Sequence, residues 1–116
     1  MNRGEIWNIE YPLPMRENAE PYAHGPAVIV SSDAFNHSGI RTIMIAAITS
    51  NLRLARAPGN VLVLADATTG LREDSVVNVS QVLVVDKSRL SDKRGMLDEA
   101  GLESLNLGLK TVFDLS

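Results

Sequence analysis

Few side chains in this 116-residue chain can do chemistry, and their scarcity narrows the choice. There is no cysteine, so thiol nucleophiles, thiolate metal sites and disulfides are excluded. The two histidines, His24 and His37, stand thirteen residues apart with no zinc-ligand spacing around them. Hydroxyl, guanidinium, carboxylate and imidazole chemistry remain. Arg72 and Asp74 are two apart, so in extended backbone both side chains leave one face and can reach one ligand. As a surface ion pair they would add little stability, and Asp74 could instead bond backbone amides in a turn. Thr49 closes an aliphatic run, where its hydroxyl satisfies backbone or faces a ligand. Ser50, Asn51 and Arg53 follow it with a hydroxyl, an amide and a guanidinium, groups suited both to turns and to splayed bases and phosphates.

Charge singles out the same stretch. Eleven basic against fourteen acidic side chains give a net charge of -3, and only five residues are aromatic. Those totals argue against a generic nucleic-acid binder with a basic surface and stacking platforms. Their partition argues otherwise. Residues 34–65 carry Arg41, Arg53 and Arg56 and no acid at all, a local +3 inside an acidic chain. Phosphate recognition follows local potential more than net charge.

The elements holding these residues read mostly as strands. Glu5–Tyr11 alternates with period two, and Ala27–Ser31, Thr42–Ile48, Val61–Leu64, Ser75–Val79 and Val82–Val85 are β-branched or aliphatic runs. Pro12–Pro26, with four prolines, reads as a loop, and Asp33–Gly39 and Pro58–Asn60 as turns. On the alternating first strand Trp7 is expected in the core or an interface, which leaves Phe35 the better stacking candidate. The period changes near the end, where Leu102, Leu105, Leu109 and Val112 form one helical stripe. Asp98 is placed to cap that helix, with Leu97 before it to staple against Leu102. Gly101 and Gly108 weaken it by about 1 kcal/mol each relative to Ala. The fold class is therefore mainly β. A strongly curved antiparallel sheet of five to six strands, or open barrel, with a C-terminal helix forms one domain over residues 1–116. The longest apolar run, Ile43–Ile48, is far shorter than the roughly 20 residues of a membrane span, and no signal peptide precedes Trp7. A cytoplasmic protein without membrane contact is expected.

An ordered series of motifs goes further. Arg3-Gly4-Glu5-Ile6-Trp7, Gly25-Pro26 leading into Val28-Ile29-Val30-Ser31, and Ala47-Ile48-Thr49-Ser50-Asn51-Leu52 come first. Ala57-Pro58-Gly59-Asn60-Val61, Thr69-Gly70-Leu71-Arg72-Glu73-Asp74-Ser75-Val76, Gln81 and Asp86-Lys87-Ser88-Arg89-Leu90 follow. In this order they resemble the MazF/PemK family of toxin endoribonucleases from bacterial toxin–antitoxin pairs. That resemblance implies a barrel-like sheet of the type shared with CcdB, a homodimer, a cognate antitoxin, and cleavage of single-stranded RNA without metal or other cofactor. It places Thr49 at the scissile phosphate, gives Arg72 and Asp74 acid–base and phosphate roles, and leaves Ser50, Asn51, Arg53 and Arg56 for RNA binding. The antitoxin is expected to be a short acidic chain covering the RNA groove.

One position departs from the family. Many members carry an arginine before the proline that opens the second strand, and here Gly25 stands there, preceded by His24. Either His24 substitutes as acid or phosphate donor, or Arg53 or Arg72 supplies the cation, or the chain is a weakened, binding-only member. A non-enzymatic gyrase inhibitor of the CcdB type is the other class open to this fold.

Overall fold

The computed structural model describes residues 1–12 and 22–115. Six strands, β1 (Glu5–Pro12), β2 (Tyr22–Ile29), β3 (Thr42–Thr49), β4 (Val61–Val63), β5 (Ser75–Asp86) and β6 (Leu90–Met96), form one antiparallel sheet in the order β4-β5-β3-β2-β1-β6. A four-residue helix α1 (Asp33–Asn36) and the C-terminal helix α2 (Glu99–Phe113) complete the fold. The expected mainly β sheet with one terminal helix is what forms.

The sheet curls, so its central strands are buried on both faces. Ile6, Val28, Ala46, Ile48, Val77 and Val79 pack toward α2 with Leu97 and Leu105. On the other face Ile9, Ala27, Ile29, Ile43, Ile45, Val85 and Leu90 form a second cluster, against which Trp7 and Tyr11 pack. Trp7 is thus a half-buried core residue whose Nε1 donates to Glu5 at 2.9 Å. Asp98 caps α2 by accepting from Gly101 N at 2.8 Å, and Leu105 of the expected stripe is fully buried. Val112 is exposed, so the stripe loses its last member where the helix runs beyond the sheet. Gly108 sets how closely α2 approaches. A Cβ there would lie 2.1 Å from the carbonyl oxygen of Gly59, whose own φ of +82° requires glycine. Close packing replaces the helix propensity that an alanine would give.

Four expectations need correction. Residues 13–21 of the expected Pro12–Pro26 loop lie outside the described residues, but Tyr22–Pro26 belongs to β2. Pro26 is tolerated because the pairing of β2 with β3 covers only Ala27–Ile29, leaving proline's missing N–H without a ladder to break. Ser75–Val79 and Val82–Val85 are one strand with a bulge, Ala46 pairing with Val82 and Ala47 with Asn78. The bulge is satisfied by side chains: Asn78 Oδ1 accepts from Ser80 N, and Asn60 Oδ1 accepts from Val79 N at 3.0 Å. Asp33–Asn36 is one helical turn capped by Ser32, which leaves Phe35 half-buried rather than free in a loop. Strand β6 was not expected. Its Ser91-Asp92-Lys93-Arg94 run is polar because the strand lies at a sheet edge, where charge discourages pairing with other chains. Among the described residues no helix is long and apolar enough to cross a membrane.

Candidate active site

The interruption between β2 and β3 opens a groove. Beyond the Ala27–Ala47 pair the ladder stops, and the two strand ends, His24-Gly25-Pro26 and Ile48-Thr49-Ser50, become opposite walls. The groove encloses about 620 Å³. Leu71, Arg72, Glu73 and Ser75 form its rim, and Asn8, Tyr11, Ser91 and Arg94 reach it from β1 and β6. Tyr11 stands at the parting of the strands. Its hydroxyl donates to the Pro26 carbonyl and also bonds the backbone of Ile48. Burial pushes this phenol far above its ordinary range, so it stays protonated.

Thr49 is aimed by the turn that follows it. Its Oγ1 accepts from Asn51 N at 3.2 Å, and Asn51 Oδ1 accepts from Arg53 N at 3.2 Å to begin the 3₁₀ turn Leu52–Arg56. The Thr49 oxygen is thereby fixed while its O–H remains available as a donor toward the groove. Asn60 ties that turn down from the far side, its Nδ2 donating to Leu54 O at 2.8 Å.

Of the sequence-derived candidates, Thr49, Ser50, Arg72 and His24 come together in this groove. Asn51 is engaged as the cap of the adjoining turn, and Arg53 and Arg56 are exposed on it, outside the groove lining. Asp74 does not line the groove; its Oδ1 accepts from Ala65 N at 2.8 Å. Its neighbour Glu73 is at the rim instead. His37 lies elsewhere, its Nε2 2.7 Å from Asn2 Oδ1. Among the described residues no three His, Asp or Glu side chains gather as a metal site would require.

Sequence reasoning missed Asn8, Tyr11, Glu73 and Arg94. Asn8 and Tyr11 lie on the alternating first strand, Glu73 stands between the paired candidates Arg72 and Asp74, and Arg94 was hidden because β6 itself was. The usable signal was Arg94-Gly95: a Cβ at Gly95 would fall 2.2 Å from Thr68 O, so this glycine marks a place where another backbone crosses the strand. Chemically, the groove gathers a free hydroxyl, an imidazole, a carboxylate and two guanidiniums. That set can hold a phosphate and move protons on either side of it.

Known proteins resemble this chain along nearly its whole length. Residues 2–113 match the family model described as PemK-like, MazF-like toxin of type II toxin–antitoxin system. The curated Endoribonuclease MazF6 of Mycobacterium tuberculosis is 36% identical over 115 residues, covering 99% of this chain and 98% of its own. Endoribonuclease MazF9 of the same organism is 32% identical over 119 residues, with 99% and 98% covered. Among solved structures, the Mycobacterium tuberculosis toxin MazF-mt6 superposes with a TM-score of 0.78 at 20% identity, covering 97% of this chain and 98% of that one. A mycobacterial endoribonuclease in complex with its cognate antitoxin gives 0.79 at 22% identity, with 100% and 97% covered.

Proposed function

The chain belongs to the PemK-like, MazF-like toxin family, and we propose that the groove between β2 and β3 is where it cleaves single-stranded RNA. It is an endoribonuclease, the toxin of a type II toxin–antitoxin pair, working as a homodimer and neutralised by a cognate antitoxin. The family and its curated relatives favour RNA cleavage over gyrase inhibition. Residues 1–116 act as a single toxin domain in the cytoplasm, where RNA is.

The observation that carries the site assignment is the convergence of Thr49, Arg72, Glu73 and His24 on one groove. In the reaction a base removes the ribose 2′-hydroxyl proton, the 2′-oxygen bonds to phosphorus, and the bond from phosphorus to the 5′-oxygen breaks as an acid protonates that oxygen. Glu73 is the carboxylate placed to act as base and His24 the imidazole placed to act as acid. The free O–H of Thr49 and the guanidinium of Arg72 contact the non-bridging phosphate oxygens. Asp74 serves this site indirectly, holding the Ala65 amide and so the approach to Arg72 and Glu73. Ser50 and Asn51, with Arg53 and Arg56 on the adjoining turn, bind the flanking nucleotides. Products are a 2′,3′-cyclic phosphate and a 5′-hydroxyl end, formed without a metal cofactor.

Incubating the purified protein with a long unstructured RNA in EDTA, then mapping the ends, tests this reading. Cuts at a short recurring sequence bearing 5′-hydroxyl ends are expected. Absence of cutting at any protein concentration would leave a binding-only member.

A further inference from the structure

Resting on the reading of this groove as the RNA-cleaving site, the geometry points to Arg94 of β6 as the fixed cation that stabilises the phosphorane. Arg94 is half-buried in the groove lining, and its guanidinium is held at two points. Nη1 donates to Asn8 Oδ1 at 3.2 Å, and Nη2 donates to the Gly70 carbonyl at 2.7 Å. Both holders are themselves fixed. Asn8 Nδ2 donates to Asp92 Oδ2 at 2.8 Å, which orients the amide so that its oxygen faces Arg94. Gly70 N donates to Asp66 O at 2.9 Å, and the Thr68 carbonyl accepts from Met96 N at 3.0 Å, clamping the turn onto β6. Two glycines allow that contact: a Cβ at Gly70 would lie 1.9 Å from Arg94 O, and one at Gly95 would lie 2.2 Å from Thr68 O.

The charge so held is not neutralised. Arg41 pairs with Asp86, Arg89 with Glu10 and Lys93 with Glu5, whereas Arg94 has no carboxylate partner among the described residues. Its two bonds to neutral oxygens leave three of five N–H donors for a ligand. Arg72 faces the same groove but is exposed and makes no hydrogen bond or ion pair among the described residues, so it must be ordered by the substrate. A pre-positioned cation stabilises developing charge without that ordering step. Arg94 therefore gives the groove a fixed cation, and neither His24 nor Arg53 has to supply it.

The test compares wild-type protein, Arg94→Ala and Arg94→Lys on a long single-stranded RNA, with folding followed by circular dichroism. Arg94→Ala should lower kcat about 100-fold or more with KM changed only severalfold, and added guanidinium ion at millimolar concentration should restore part of the loss. Arg94→Lys, unable to keep both anchoring bonds and still fork onto a phosphate, should fall between the two. Wild-type kcat in folded Arg94→Ala, or a loss that guanidinium does not relieve, would overturn the proposal. Should Arg94→Ala fail to fold, Arg94→Lys decides, and an unchanged kcat there overturns it. A wild-type protein that never cuts RNA would remove the reading of the groove itself, a separate failure.

Discussion

The Tyr11 hydroxyl donates to the carbonyl of Pro26 at the point where β2 leaves β3. A side chain from a third strand thus takes the bonds that the next rung of the ladder would have made. The groove stays open, and the Pro26 carbonyl still has a donor.

Tyr11→Phe should cost about 1–2 kcal/mol at neutral pH, because the Pro26 carbonyl loses its donor. The pH dependence has a definite sign. Burial raises the folded-state pKa of Tyr11, so the folded protein holds this proton more tightly than the unfolded chain does. Its contribution is complete below about pH 10, the ordinary phenol value, and declines as pH rises above it. Urea unfolding at about pH 8 and about pH 11 should show a steeper alkaline loss for wild type than for Tyr11→Phe. Equal slopes would show that the phenol is not buried as described.

Gly108→Ala should destabilise the protein by about 1–3 kcal/mol, against the gain that alanine brings in a free helix. The added methyl meets backbone, the Gly59 carbonyl, and not a side chain able to turn aside. Gly101→Ala is the control. There the nearest atoms, at 3.2 Å, belong to the Asp98 and Leu97 side chains, so a far smaller change in denaturation midpoint is expected.

Asp74 and Glu73 should separate cleanly. Asp74→Asn keeps an oxygen for the Ala65 amide and should retain cleavage within severalfold, whereas Asp74→Ala should lose about 1 kcal/mol of stability. Glu73→Gln should leave stability unchanged and lower kcat by about 100-fold, the usual range for loss of a general base. The reverse pattern, with Asp74→Asn inactive, would move the base to Asp74.

Thr49→Val keeps the shape but removes the hydroxyl, and should lower kcat by about 100-fold. Thr49→Ser restores both the acceptor for Asn51 N and the donor, and should recover most of the rate. Equal activity in all three proteins would leave Thr49 as a turn residue only.

What the sequence made legible followed from simple periods. The alternation of Glu5–Tyr11, the aliphatic runs of β3 and β5, and the Asp98 cap before Leu102 and Leu105 each point to one structure. What it hid has physical causes. Four successive polar residues conceal β6, because an edge strand has no need of apolar alternation there. Prolines disguise the start of β2, because a strand unpaired on one side tolerates them. Thr49, Ser50, Arg72 and His24 could be proposed together since they surround recognisable motifs. Arg94 and Asn8 could not. Their relation depends on β6 lying beside β1, a pairing of residues more than eighty positions apart.

That long-range pairing bears on when the chain can do harm. His24 comes from the second strand, Thr49 from the third, Arg72 and Glu73 from the turn before the fifth, and Arg94 from the sixth. A growing polypeptide has no complete groove until residue 94 has been added and folded back against the first strand. On the proposed assignment, cleavage therefore waits for the last strand. The same holds for a chain cut between β5 and β6, which would keep Thr49 and Arg72 but lose the anchored cation of Arg94.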